Sequence, residues 1–293
     1  MARARKPQLS FKRLNQIASG LMLRAASVPI NLLGMRTRAS AIEQLSERML
    51  ATVGTGAGPI RFFCPSPQLA TRAETLLTKE PDMIRWIDGF EGNSVFWDIG
   101  ANVGVFSLYA GARRGVSVLS FEPSAANFYV LSRNIQLNQL DDRVTAYCLA
   151  LSGRTELGVL NMASVAMGSA MSQFGRPGEM SRYCEKRTNG VAQGMIGFTV
   201  DDFIARFCPA FPNYLKMDVD GLELPILQGA RNTLRDPRLR SLMVELSLSN
   251  KEEGSRAVAL LEESGFHFVS HGETQGTEVE KAANHLFERY SKP

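Results

Sequence analysis

Two groups of residues in this sequence have the types and spacing to do chemistry. The first is DIGANVG, residues 98–104, where Asp98, Gly100, Asn102 and Gly104 alternate through a short turn, with a second acid, Glu122, about 18 residues further on. Glycines in such a turn let the backbone approach a ligand closely, and an acid at that distance reaches ribose hydroxyls in an open α/β fold. The second group lies in LKMDVDG, residues 215–221. Period-two alternation puts Lys216 and Asp218 on one face of a strand, and a lysine inside a central strand is costly unless paired or used. These two are the leading catalytic candidates, while Asp220 and Glu223 read as caps of the helix that follows.

Charge argues for the kind of nucleotide. A dinucleotide site aims bare N–H groups and a helix N-terminus at a pyrophosphate, which a carboxylate at the strand end would repel. Asp98 therefore disfavours phosphate, and Asn102 stands where the dinucleotide fingerprint wants its second glycine. S-adenosylmethionine carries no phosphate; its ammonium, sulfonium and ribose diol all suit acidic partners. The rival reading is an NAD-dependent oxidoreductase.

Stepping outward, Val95–Trp97 is an apolar run that predicts a buried strand, and Val105, Phe106, Leu108 and Tyr109 resume as a helix face. Val116–Phe121 predicts a second strand ending at Glu122, closed by Pro123; residues 126–138 predict a helix and Val144–Leu151 a third strand. Ala150, Leu151 and Ser152, at the end of that strand, are expected beside the adenine ring. Tyr214–Met217 predicts a strand with Asp218 at its carboxyl end and a helix whose first turn holds Pro225. Leu242–Leu246 predicts another strand carrying Glu245, followed by a helix over 251–264 and strands over 266–270 and 284–290. Helices within 69–90 either roof the cofactor pocket or pack as ordinary core. Residues 161–196, rich in Met, Ser and Gly, break the alternation and read either as a substrate loop or as a strand pair with a surface loop.

A chain of 293 residues, 44% hydrophobic and 21% charged, suits one large domain or a domain with an extension. The formal charge of +4 is local in origin: residues 1–50 hold nine Lys or Arg against two Glu, and the rest is net acidic. Nucleic-acid binding is therefore not expected of the main domain. Residues 1–60 read as a basic extension, disordered over 1–10, helical from Phe11 to about Pro29, and a linker over 51–60; residues 61–293 read as the catalytic domain. The basic amphipathic helix suits either a peripheral membrane contact through residues 1–30 or docking on the chain's own domain or a second subunit. No apolar run approaches the roughly 18 residues of a membrane span. Cys64, Cys148, Cys184 and Cys208 show no C-x-x-C spacing and read as buried thiols of a reducing, cytoplasmic compartment, with the inner face of the membrane as the peripheral alternative. His267, His271 and His285 have no ligand spacing, so no metal is expected from them.

The motifs DIGANVG (98–104), FEPS (121–124), TVDDF (199–203), LKMDVDGLELPILQGA (215–230) and MVEL (243–246) resemble, in order and spacing, the FkbM-type methyltransferases, over residues about 79–290. The resemblance implies an α/β class I methyltransferase (Rossmann-like) fold with a seven-stranded, mostly parallel sheet and helices on both faces. It further implies S-adenosylmethionine as donor, bound by Asp98, Gly100, Asn102, Gly104 and Glu122, and O-methylation of a hydroxyl on a sugar, glycan or secondary metabolite. The family often has Glu where this chain has the shorter Asp220.

A hydroxyl must lose its proton for methyl transfer, so Asp218 is expected to accept it while Lys216 orients Asp218 or stabilises the oxyanion. A variant uses Asp218 and Glu245 as Mg²⁺ ligands, but Leu246 stands where metal-dependent catechol-type enzymes add an Asn. The remaining alternative is a non-catalytic module that keeps the fold and docks through its basic N-terminus.

Overall fold

The computed structural model describes residues 34–56, 58–176, 190–247, 250–273, 275–276 and 281–290. The disordered start, the basic helix predicted over 11–29, Cys184 and the centre of the 161–196 segment lie outside them. The chain divides into two units, Met1–Met49 and Leu50–Pro293. In the first, helix α1 (Met35–Glu47) buries none of its residues. No described helix is long and apolar enough to cross a membrane.

The second unit is built on a sheet of seven main strands. Mainly apolar runs, such as Val95–Ile99 (β3, with Asp98) and Tyr214–Met217 (β10, with Lys216), are buried on both sides as parallel central strands require. Around them stand β4 (Ser117–Phe121), β5 (Val144–Tyr147), β11 (Ser241–Ser247), β12 (Phe266–His271) and β14 (Lys281–Arg289). Their order is β12-β14-β11-β10-β3-β4-β5, with β13 (Gln275–Gly276) as a short addition to β14. Strand β14 runs antiparallel to both neighbours, whereas the pairs from β11 to β5 are parallel. This is the mostly parallel Rossmann-like sheet expected from the sequence. Chain order reverses between β3 and β10, which makes their carboxyl ends the crevice where open α/β sheets bind ligands.

Each face of the sheet has its own apolar core. One packs Phe96, Val118 and Met243 against Leu108, Leu131 and Ile135, beneath α2 (Pro67–Glu74) and α3 (Pro81–Asp88). The other packs Trp97, Phe121, Leu215 and Val244 against Phe203, Ile226, Leu227 and Leu261. Helix α4 (Val105–Tyr109) starts at Gly104, whose φ of 82° is left-handed backbone. Helix α5 (Ala125–Leu137) carries buried Asn134, which donates to Val103 O at 2.9 Å and accepts from Phe63 N at 2.7 Å, fixing the turn after β3.

Several expectations need correction. Residues 51–60 are not a linker: Leu50–Thr55 (β1) and Gly58–Phe63 (β2) pair as an antiparallel hairpin, so the boundary drawn at residue 60 falls inside it. Val53 and Ile60 face each other across that ladder, and alternation between Thr and apolar residues disguised the strand as a Gly/Thr-rich connection. The run Val144–Leu151 is two strands, because the chain leaves the main sheet after Tyr147 and Ala150–Leu151 (β6) joins a second sheet. An apolar run of eight residues does not reveal a change of partner halfway. Cys148, at that break, is exposed, as is Cys208; only Cys64 is buried among the described cysteines. The second sheet, β6-β9-β7-β8, contains Glu156–Met162 (β7), Ser172–Gly175 (β8) and Val191–Phe198 (β9), so the described part of 161–196 is largely strand.

Candidate active site

The turn after β3 and the turn after β10 meet at the crevice. Gly100 has φ 78°, and a Cβ there would lie 1.9 Å from Asp218 O, so only glycine lets the two strand ends touch. A cavity of about 200 Å³ opens beside this contact. Of the residues expected at the site, Gly100, Asn102, Glu122, Ala150, Leu151 and Asp218 line it. Four others do not. Gly104 begins α4, and Ser152 donates its N–H to Phe198 O at 2.8 Å in the strand pairing.

Asp98 and Lys216 form the third departure. Asp98 is fully buried rather than turned to a ligand, and its register partners on the neighbouring strands are Lys216 and Ser120. A polar row thus crosses the sheet under the cavity. The Lys216 ammonium lies 3.2 Å from Asp98 Oδ1, 3.5 Å from Asp218 Oδ2 and 3.1 Å from Gly100 O. Ser107 donates to Asp98 Oδ2 at 2.6 Å, and Ser120 to Ser107 Oγ at 2.7 Å. Burial works against the lysine charge, but Asp98 and then Asp218 outweigh it and hold the ammonium above its ordinary range. Of its three partners, only Gly100 O meets the ammonium as a hydrogen-bond acceptor; the two carboxylates are ion-pair partners, and Lys216 itself does not line the cavity. The phosphate argument made for Asp98 likewise passes to Glu122, the acid that faces the ligand space.

Glu122 serves two ends. Its Oε2 accepts from Asn102 N at 2.8 Å and its Oε1 from Ser124 N at 2.8 Å, so it both fixes the glycine turn and caps α5. Burial pushes it up to about 7 against those N–H groups. Asp220 does not cap its helix as expected. It sits at φ 55°, and its Oδ2 accepts from Met171 N at 2.6 Å and Ser172 N at 3.4 Å; burial and the charge of Asp218 raise it to about 6. Glu223 does bind its own turn, accepting from Val219 N and Gly221 N, and burial raises it to about 7. Glu245 is pushed far above the carboxylate range, first by the charge of Asp218 and then by burial. Asp218 thus stands among acids that tend to hold protons, with Lys216 on one side and a third of its side chain open.

A strap over residues 168–172 closes the cavity. Gln68 and Arg72 donate to Gly168 O, Asn102 and Asn127 to Ser169 O, and Asn127 Oδ1 accepts from Gly168 N. Asn102 Oδ1, by contrast, is buried without a hydrogen-bond partner among the described residues. Arg72, Asn127, Ser169, Phe174 and Asp220 also line the cavity and were not singled out as site residues in the sequence, and Glu245, read there only as a metal-ligand alternative, lines it too. Their positions depend on contacts between distant segments. The ionisable groups lining it are mainly acidic, which suits a cationic ligand with hydroxyls better than a pyrophosphate.

Residues 98–268 match the family described as the methyltransferase FkbM domain. The 31-O-demethyl-FK506 methyltransferase FkbM of Streptomyces tacrolimicus is 29% identical over 213 residues, covering 64% of this chain and 79% of that protein. Methyltransferase 1 of Beauveria bassiana is 30% identical over 196 residues, covering 60% and 74%. Among solved structures, the precorrin-6y C5,15-methyltransferase of Geobacter metallireducens aligns over 75% of this chain and 93% of its own, at 13% identity and a TM-score of 0.44.

Proposed function

Because the chain belongs to the FkbM methyltransferase domain family, we propose that it methylates a hydroxyl oxygen of a sugar, glycan or secondary metabolite, with S-adenosylmethionine as donor and Asp218 as the proton acceptor. The site's residues fit that donor. Gly100 lines the cavity with bare backbone as a cradle, Glu122 offers a carboxylate for the ribose diol, the bare Asn102 Oδ1 can accept from an N–H or O–H, and acids rather than phosphate-binding groups line the walls. Ala150 and Leu151 supply apolar surface for a flat ring. When bound, the donor supplies an electrophilic methyl on a sulfonium.

The observation that carries the reading is Asp218, open to the cavity opposite the glycine cradle and held by a buried lysine. Asp218 accepts a hydroxyl proton late in the transfer, a contribution worth about 10²–10⁴-fold in such reactions. Lys216, 3.5 Å away, positions it. The oxygen acceptor is supported by the name of the Streptomyces relative, which specifies a 31-O-demethyl substrate.

The test is transfer from ¹³C-methyl S-adenosylmethionine to a panel of hydroxylated metabolites and glycans, read by NMR, with Asp218→Asn alongside. A methoxy carbon in the product, with kcat lowered about 100-fold or more in the variant and S-adenosylhomocysteine binding within about threefold of wild type, is the expected result. An N-methyl or S-methyl product would overturn the oxygen acceptor. Full activity in Asp218→Asn would overturn the base.

A further inference from the structure

The mechanism leaves one charged group of the cavity unused. Arg72, in the last turn of α2, lines the cavity with Gly100, Asn102 and Asp218. Its Nε and Nη2 both donate to Gly168 O, at 3.0 and 2.8 Å. Its Nη1 has no hydrogen bond, and no carboxylate oxygen lies within 4 Å of the guanidinium, among the described residues. A guanidinium taken out of water without an anion is unfavourable. Burial accordingly pulls it below its ordinary range, and the more distant charges of Asp218, Glu122, Asp220 and Glu80 oppose this. Lys79, the other cation among the described lining residues, is exposed and already paired with Glu80 at 3.0 Å.

The rest of the ionisable lining is acidic, Glu122, Asp218, Asp220 and Glu245, with Glu245 pushed far above the carboxylate range. Such a wall attracts an ammonium and repels a carboxylate, yet the methionine end of the donor carries both. A zwitterion enters only where one cation faces it among the acids. We propose that Arg72 binds the α-carboxylate of S-adenosylmethionine through Nη1, while its Nε and Nη2 keep hold of the strap at Gly168. One side chain thereby joins recognition of the donor to closure of the wall above it. This inference rests on the donor named above.

The experiment is a ligand-by-variant cycle on the full chain, by calorimetric titration. The ligands are S-adenosylhomocysteine and the adenosyl 3-aminopropyl thioether, which differs only in lacking the carboxylate. Wild type is expected to prefer the first by about tenfold or more, the size of effect a charge-assisted contact of this kind supplies. Arg72→Gln is expected to lose that preference, weakening on S-adenosylhomocysteine and changing little on the thioether. Arg72→Lys, which keeps the charge, is expected to retain a reduced preference, and unchanged urea midpoints in both variants check that each is folded. If Arg72 is only a strap anchor, both ligands weaken by the same factor in both variants, which overturns the proposal, as does a wild type indifferent to the carboxylate. A wild type that binds neither ligand would instead overturn the donor itself.

Discussion

Lys216→Met is the perturbation whose size the structure fixes best. The lysine is 2% exposed and Asp98 is 0% exposed, so neither charge has access to water. Methionine fills most of the lysine volume, and the change therefore removes charge rather than packing. Asp98 would be left with the Ser107 hydroxyl alone, and breaking a buried pair from one side costs about 3–5 kcal/mol. Asp98→Asn costs less, because Lys216 still has Asp218 at 3.5 Å and Gly100 O at 3.1 Å. Removing both partners together leaves no bare charge and is expected to recover at least half of the loss of Lys216→Met alone. Urea unfolding at neutral pH and 25 °C, with unchanged m-values, measures the cycle. A loss below about 1 kcal/mol for Lys216→Met, or a double variant no more stable than the single, would show that the pair is not the buried charge couple described.

Three further outcomes follow from the same geometry. Gly100→Ala drives a Cβ into Asp218 O and forces an alanine to φ 78°, so it is expected to cost about 2–4 kcal/mol and abolish S-adenosylhomocysteine binding, measured by unfolding and titration; unchanged binding would deny the cradle. Glu122, Glu223 and Asp220 have folded values raised to about 7, 7 and 6, so the folded state binds more protons than the unfolded one between about pH 4 and 7. Their contribution to stability is full below that window and is lost as pH rises through it; the urea midpoint should be higher at pH 5.5 than at pH 8, and a midpoint that rises with pH would contradict the burial of these acids. Asp220→Ala leaves the Met171 and Ser172 N–H groups without their acceptor, and hydrogen exchange at those two amides should quicken at least tenfold while β3 and β10 stay protected.

The sheet was legible because its central strands are buried on both faces and therefore read as mainly apolar runs, broken by few polar residues such as Asp98 and Lys216. Glu122 and Asp218 could be placed at the cavity from position alone, since each follows directly on such a run. Asp98 shows the limit of that rule. It lies one residue inside the strand end, where the side chain turns into the layer beneath α4, and only the register of β10 against β3 reveals that Lys216 is its partner. Lys216 was read with Asp218, which local alternation makes visible, and not with Asp98, which requires pairing across 118 positions of chain. Arg72 was illegible for the same reason. Its meaning comes from Gly168, 96 residues away, and nothing local distinguishes it from any arginine on an amphipathic helix.

The strap is held almost wholly by its main chain: the carbonyls of Gly168 and Ser169 and the N–H groups of Gly168, Met171 and Ser172 receive the side chains of the surrounding fold. Main-chain atoms are the same whatever residue bears them. Gly168 is held to glycine by its φ of 82° and by Leu69, 3.0 Å from where a Cβ would stand, and Met167 packs on the core, but Val165 and Met171 stand largely outside the packed interior and their side chains take no part in the fastening. Divergence toward new acceptors can accumulate in this segment while the fastening that closes the cavity is inherited intact.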